Sequence, residues 1–464
     1  MREKDLTKGS IPGHLACLTA PLIAGNMLQQ LYNAVDAWVI GRYAGEKEFA
    51  AVGVASSVMN LFLFAIVGAC IGISVILAQF YGAGDRGMFR REHALALVTG
   101  TAASVLAAGA GIFCLPVLLA LLRTPDEVAG LAQTYLQIVL AALPASFFYN
   151  FYSALFRAVG KARVSLGILA LAAGINLILD LFFVIRLRMG IAGVAWATFV
   201  SQAASAAASF LYMYLGMPGL KFSRTDCRFD KGLLKKTLHF AGVTGMQQTG
   251  LYIGKLLVQG AVNTGGTEMI SAYTATTRIE GFANSFGDSG CSATAVLVAQ
   301  NCGAEKGERV KKTVCSSFIM LGSLGILSAV ILYFAAVPLS RFMTGGGSGR
   351  IWGTAAEYLH IIALFYVLCF TGNTLAGYFD GCGRVSVSLI GTISQISLRT
   401  ILSWAWVEQY GLQAVAAATG AGWIFVNFFW LVLYCRTSPL NPKTAGSSAL
   451  RSQPGLPDAT ERPE

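Results

Sequence analysis

The sequence predicts an all-α polytopic membrane protein, with twelve transmembrane helices in two six-helix lobes related by a pseudo-two-fold axis along the membrane normal. Three observations carry that prediction. Of 464 residues, 55% are hydrophobic and only 12% charged, about half the charged share of a typical soluble domain. The apolar segments recur at lengths that cross a hydrocarbon core, which takes about 20 helical residues. Ten-residue alternating strands are absent, and only helices or closed barrels satisfy the backbone in lipid, so the spans are helices. The third observation is an internal repeat.

Taken in order, residues 1–13 form a polar, basic N-terminal segment, with Pro12 placed to start the first helix. Six spans follow at 14–42, 48–80, 92–122, 128–156, 164–185 and 190–215, making an N-lobe of residues 14–220. A connector at 221–236 holds six Lys or Arg and separates the lobes. Spans at 237–264, 268–301, 313–340, 352–380, 386–407 and 411–435 make a C-lobe of residues 237–436. The tail, 437–464, is rich in Pro, Ser and charge and reads as disordered. The first apolar run has no cleavage pattern and is a retained span, not a signal peptide.

Alternate connections fix an orientation. With the N-terminus inside, inner segments hold 24 Lys or Arg and outer ones 6, and positive excess stays cytoplasmic. Both termini are therefore expected in the cytoplasm of a plasma (inner) membrane protein. The net charge of +11 is accounted for by these loops, so nucleic acid is excluded as a partner. The ten cysteines have no metal or redox spacing, and His14, His93, His239 and His360 have none either. No HExxH motif or nucleophile beside a base is present, which argues against an enzyme. The expected partners are the bilayer and a small organic solute, met by a monomer without cofactor.

The repeat is read by alignment of the halves. Residues 77–92 (LAQFYGAGDRGMFRRE) and 298–313 (VAQNCGAEKGERVKKT) match at Gln79, Gly82 and Ala83 against Gln300, Gly303 and Ala304, an offset of 221. The same offset carries GIAGVAWAT (Gly190 to Thr198) onto GLQAVAAAT (Gly411 to Thr419). Each half has an even number of spans, so the copies share one orientation. Transporters built this way bind solute between the halves and rock to alternate access.

Asp36 is the only charged residue from Leu15 to Ile40. An aspartate there costs roughly 3 kcal/mol on insertion scales and marks a functional position. In the fifth span, NLILD puts Asn176 and Asp180 on one helix face. Asp36 and Asp180 each lie six residues before an outer arginine, Arg42 or Arg186, at a depth of about 9 Å. Thr198 reaches about 12 Å from the start of the sixth span. Two carboxylates, an amide oxygen and a hydroxyl are ligands that suit a hard cation, sodium or a proton.

At these residues the chain resembles the multidrug and toxic compound extrusion (MATE) transporters. The likeness rests on QQLYNAVDAWVIG, the AQFYGAGD and AQNCGAEK repeats, FRAVGKAR, and NLILD followed by GIAGVAWAT. The resemblance implies two six-helix lobes forming a V and cation-driven antiport of organic compounds. It places Asp36, Asn176, Asp180 and Thr198 on the N-lobe ion site, with Tyr135 beside it, and Gln29 and Asn150 as weaker solute contacts. Span seven and the middle of span ten lack the coupling carboxylates of NorM-like members, so the chain is similar to the DinF-like and archaeal branch. There the C-lobe carries Lys255 and Arg399, with Glu280 as counter-charge. These form either a structural ion pair or a site for an anionic or zwitterionic group. A lipid-linked oligosaccharide flippase of the same superfamily is the alternative reading.

Overall fold

The computed structural model describes residues 5–121, 124–345 and 348–437; the predicted tail lies outside them except for Thr437. Span 1 (Ile11–Val39) starts at Ser10, whose Oγ accepts from Gly13 N at 3.4 Å, and runs into a π turn at Ile40–Ala44. Span 2 (Glu46–Gly82) and span 3 (Arg86–Leu121) follow. Span 4 is two helices, Asp126–Ala141 and Leu143–Ala158, bent by 46°. The sequence predicted one span here, and the structure bends it; Pro144, in the first turn of the second piece, cannot extend the hydrogen-bond ladder of the first. Span 5 (Ala162–Asp180) also ends in a π turn, Leu181–Arg186, before span 6 (Gly190–Gly216).

Span 7 (Lys231–Asn263) begins inside the predicted connector. Asp230 is the reason, because its side chain accepts from Leu233 N at 3.0 Å and caps the helix before the apolar run starts. Span 8 is Gly266–Gly303, and span 9 (Gly307–Phe334) is followed by a short helix, Ala336–Met343. Span 10 is another bent pair, Gly349–Ala363 and Tyr366–Gly381, at 53°. A continuous helical run, Val385–Arg436, breaks at Gly411 (φ 57°) into spans 11 and 12. Gly190, which opens span 6, has φ 55°. Each glycine therefore starts the second repeated motif in the left-handed region that other residues avoid.

Seven of these helices are long and apolar enough to cross a membrane, or nine with each bent pair counted as one span. Spans 11 and 12 share one of the seven. Spans 7 and 8 fall short because Gly, Ser, Thr, Gln and Asn run through them together with Lys255, Arg278, Glu280 and Asp288, polar content that a span tolerates when it faces the bundle interior.

The halves join through span 2 against spans 7 and 8, and span 1 against span 8. At the end where spans 2 and 8 stop, the first repeated motif packs against its own copy. A Cβ on Gly82 would overlap the Gln300 carbonyl, and one on Gly303 would overlap the Gln79 carbonyl. The glutamines reach across the same joint: Gln79 Nε2 donates to Gly381 O (3.2 Å) and Gln300 Nε2 to Ala158 O (2.6 Å), the last turns of spans 10 and 4. Free helix-end carbonyls are satisfied reciprocally. Further cross-links at this end are Thr237 to Glu92 (2.8 and 3.0 Å) and Lys306 and Arg309 to backbone carbonyls of Leu6, Thr7 and Gly9.

Candidate ion and solute sites

The first-half site is built from one-turn pairs on two helices. Tyr32 and Asp36 share a face of span 1, as Asn176 and Asp180 share a face of span 5, since residues four apart are neighbours. Asn176 and Asp180 are fully buried, and Thr198 is nearly so, whereas Asp36 and Tyr135 are half-buried. The two carboxyl groups are hydrogen-bond partners of each other. Two carboxyls can hold that approach only with a proton or a cation between them, because both cannot be bare anions at such range.

Asn176 clamps the pair. With its amide oriented to satisfy its neighbours, the NH2 donates to Asp36 Oδ1 (3.0 Å) and to Asp180 Oδ2 (2.9 Å), while its carbonyl accepts from Thr198 N (3.3 Å). In this arrangement the amide oxygen is engaged by backbone and Asn176 serves the acids as a donor. Tyr32 bonds to both Asp36 and Thr198 through its hydroxyl. Asp180 Oδ1 remains buried with no partner. Val39, Ile40, Val184 and Val194 pack together at and beside the two π turns, with Tyr135 against them. π turns inside helices recur at functional sites.

Tyr32 was not singled out from the sequence, although its spacing from Asp36 repeats that of Asn176 from Asp180. Gln29 is half-buried on span 1. Asn150 donates its amide to Ser146 O one turn back at 2.8 Å, within its own helix.

In the second half, Lys255 (span 7), Glu280 (span 8) and Arg399 (span 11) come together electrostatically, but through tyrosines rather than by direct pairing. Tyr358 donates to Glu280 Oε2 at 3.0 Å, and Arg399 Nη2 donates to Tyr273 Oη at 3.4 Å. The two rings meet edge to face at 6.2 Å. Asp288, two turns beyond Glu280, joins the cluster opposite Lys255. It also escaped the sequence reading; an acid eight residues after Glu280, on the same span, was the available signal. Among the described residues, no group of three or more His, Cys, Asp or Glu could hold a metal ion.

The MatE family model matches this chain twice, over residues 21–182 and 245–405. The chain belongs to the MatE family. The double match covers both halves and agrees with the repeat; family members are transporters rather than enzymes. The probable multidrug resistance protein YpnP of Bacillus subtilis is 29% identical over 419 residues, 89% of this chain and 93% of that protein. The probable multidrug resistance protein NorM of Thermotoga maritima is 23% identical over 423 residues, 87% of each. Among solved structures, an outward-facing multidrug resistance MATE transporter superposes with a TM-score of 0.88 at 20% identity, covering 97% of this chain and 99% of that one. A transporter of the MOP superfamily from Pyrococcus furiosus gives 0.88 at 20% identity, with 96% and 100% covered. These likenesses establish a twelve-span MATE fold.

Proposed function

We propose that this MATE protein is an antiporter that exports organic, drug-like or amphiphilic compounds, driven by sodium ions or protons that bind between Asp36 and Asp180. One observation carries the reading: two carboxyls from different spans face each other in a closed cluster where Asp180 Oδ1 still has an unused acceptor. Two bare carboxylates about 4 Å apart repel by about 4 kcal/mol at an effective dielectric of 20. At 1.4 kcal/mol per decade that is nearly a thousandfold in a two-state equilibrium. Loss of the ion therefore drives span 1 from span 5, and its return draws them together, giving the two states different affinities for the ion as antiport requires. Asn176, donating to both acids, and Tyr32, bonding to Asp36, position the pair.

The charge asymmetry supports placing both termini, and hence the end joined by Gln79 and Gln300, in the cytoplasm of the plasma membrane, with the chain acting as a monomer. Cross-links concentrated at that end favour a state open to the outside. The absence of acids from span 7 favours coupling in the first half, as in the DinF-like branch. The flippase alternative is not favoured, since the relatives matched carry multidrug-resistance names. Purified protein in liposomes, loaded with a fluorescent organic dye and given a sodium or a pH gradient, tests the reading. Asp36→Asn and Asp180→Asn should each abolish gradient-driven efflux while eluting as folded protein. Full efflux by either variant would remove the pair from the mechanism.

A further inference from the structure

The charged groups of the second half differ from a structural ion pair in what they leave unmet. Among the described residues, neither Lys255 nor Asp288 makes a hydrogen bond, and no ion pair closes between Lys255, Arg399, Glu280 and Asp288. Arg399 makes one long bond to Tyr273, and its Nε is buried without a partner. Lys255 and Asp288 are both accessible although they lie on helices packed into the bundle. Only Glu280 is accounted for, by Tyr358. Unmatched charges inside a membrane protein are costly and mark substrate pathways.

Donors and acceptors are left over together. Lys255 offers three N–H groups and Arg399 four of its five, one being engaged by Tyr273, while Asp288 offers a carboxylate with no donor. Glu280 and Asp288 are eight residues apart on span 8, about 12 Å of helix, and Lys255 acts electrostatically on both, so the charged groups extend over the length of an organic molecule rather than gathering around a single ion.

We propose that Lys255, Arg399 and Asp288 form a solute site in the second half for an amphoteric organic molecule, its carboxylate held by Lys255 and Arg399 and its ammonium by Asp288. This deepens the exporter reading by naming the class of solute and is independent of the coupling site. A cation without a carboxylate would leave Lys255 and Arg399 facing it with repulsive charge, so the site discriminates by repulsion as well as attraction.

The test is equilibrium binding to purified protein with no ion gradient, using a rhodamine with a free carboxylate and the methyl ester of the same dye, read by fluorescence anisotropy. The acid should bind at least tenfold tighter than the ester. Lys255→Gln should lower affinity for the acid about tenfold and leave that for the ester unchanged or raise it, because only the acid has the group that Lys255 holds and the ester is relieved of its repulsion. Asp288→Asn should weaken both dyes alike. Arg399→Gln should act as Lys255→Gln does, with the Lys255 variant deciding the matter if loss of the Tyr273 bond unfolds the chain. Equal affinity of acid and ester, an unchanged ratio in Lys255→Gln, or no binding of either dye would overturn the proposal. Failure of the coupling mechanism would show instead as binding that persists without gradient-driven efflux.

Discussion

The two halves are nearly the same object at the end where they join and different objects near the middle of the bundle. At the joint, Gly82 faces the Gln300 carbonyl as Gly303 faces the Gln79 carbonyl, and each glutamine side chain closes a helix end of the other half. In the interior, the first half holds an acid pair whose neighbours nearly all supply hydrogen bonds. The second half holds charges of both signs with bonds left unmade. At the repeat offset of 221, Asp36 and Asp180 correspond to Leu257 and Ile401, both exposed apolar residues. The contrast separates what duplication must keep from what it is free to change. Backbone-to-backbone contact tolerates no side chain, so both copies retain it, whereas interior chemistry needs to be present only once.

That comparison can be broken most directly at the joint. Gly82→Val and Gly303→Val should each lower the melting temperature sharply and by similar amounts, because overpacking costs about 1–3 kcal/mol or more where backbone cannot yield. A normal melting curve for either would mean that the halves do not meet there. Next in size is Asn176→Leu, which removes both donors of the clamp. Hydrogen bonds to charged groups contribute about 1.5–3 kcal/mol each, so gradient-driven efflux should fall more than tenfold in the liposome assay. Retained efflux would show that the acids hold their approach without the amide.

Smaller effects sharpen the symmetry. Gln300→Leu strands the Ala158 carbonyl, at a cost of about 1–3 kcal/mol for a buried unmet group. Gln79→Leu should cost less by chemical denaturation, since its bond is longer (3.2 against 2.6 Å) and Gln79 is only partly buried whereas Gln300 is fully so. Equal losses would mean that burial does not set the difference. Smallest is Gly174→Ala on span 5, where a Cβ meets nothing within 4 Å; the change should be neutral or stabilise by up to about 1 kcal/mol. A marked loss of stability would reveal a close neighbour at that position.

Much of this was legible from residues alone. Asp36 and Asp180 stood out because a charge in an apolar run has a large local cost, and the spacing of Asn176 from Asp180 placed both on one face. Tyr32 did not stand out, because a tyrosine in a membrane span is unremarkable until its hydroxyl meets Asp36 and Thr198. Asn176 was read as an oxygen ligand; in the orientation that satisfies its neighbours, its amide presents N–H to both acids and its oxygen to the Thr198 backbone. Span 4 read as one helix because composition continues through Pro144, and the bend there is a matter of backbone hydrogen bonding. Lys255, Glu280 and Arg399 were visible as charges, but not that tyrosines would come between Glu280 and Arg399.

Transfer of polypeptide into lipid is paid for residue by residue along the chain, so the number of crossings, their duplication and the positions of costly charges follow from the order of amino acids. Which polar groups end up satisfied is decided by neighbours more than a hundred residues away, as where Asn176 bridges span 5 to span 1, or Arg399 meets Tyr273. Those distances exist only after the helices have packed, and with them the difference between a satisfied acid pair and a cluster of both charges with bonds left unmade.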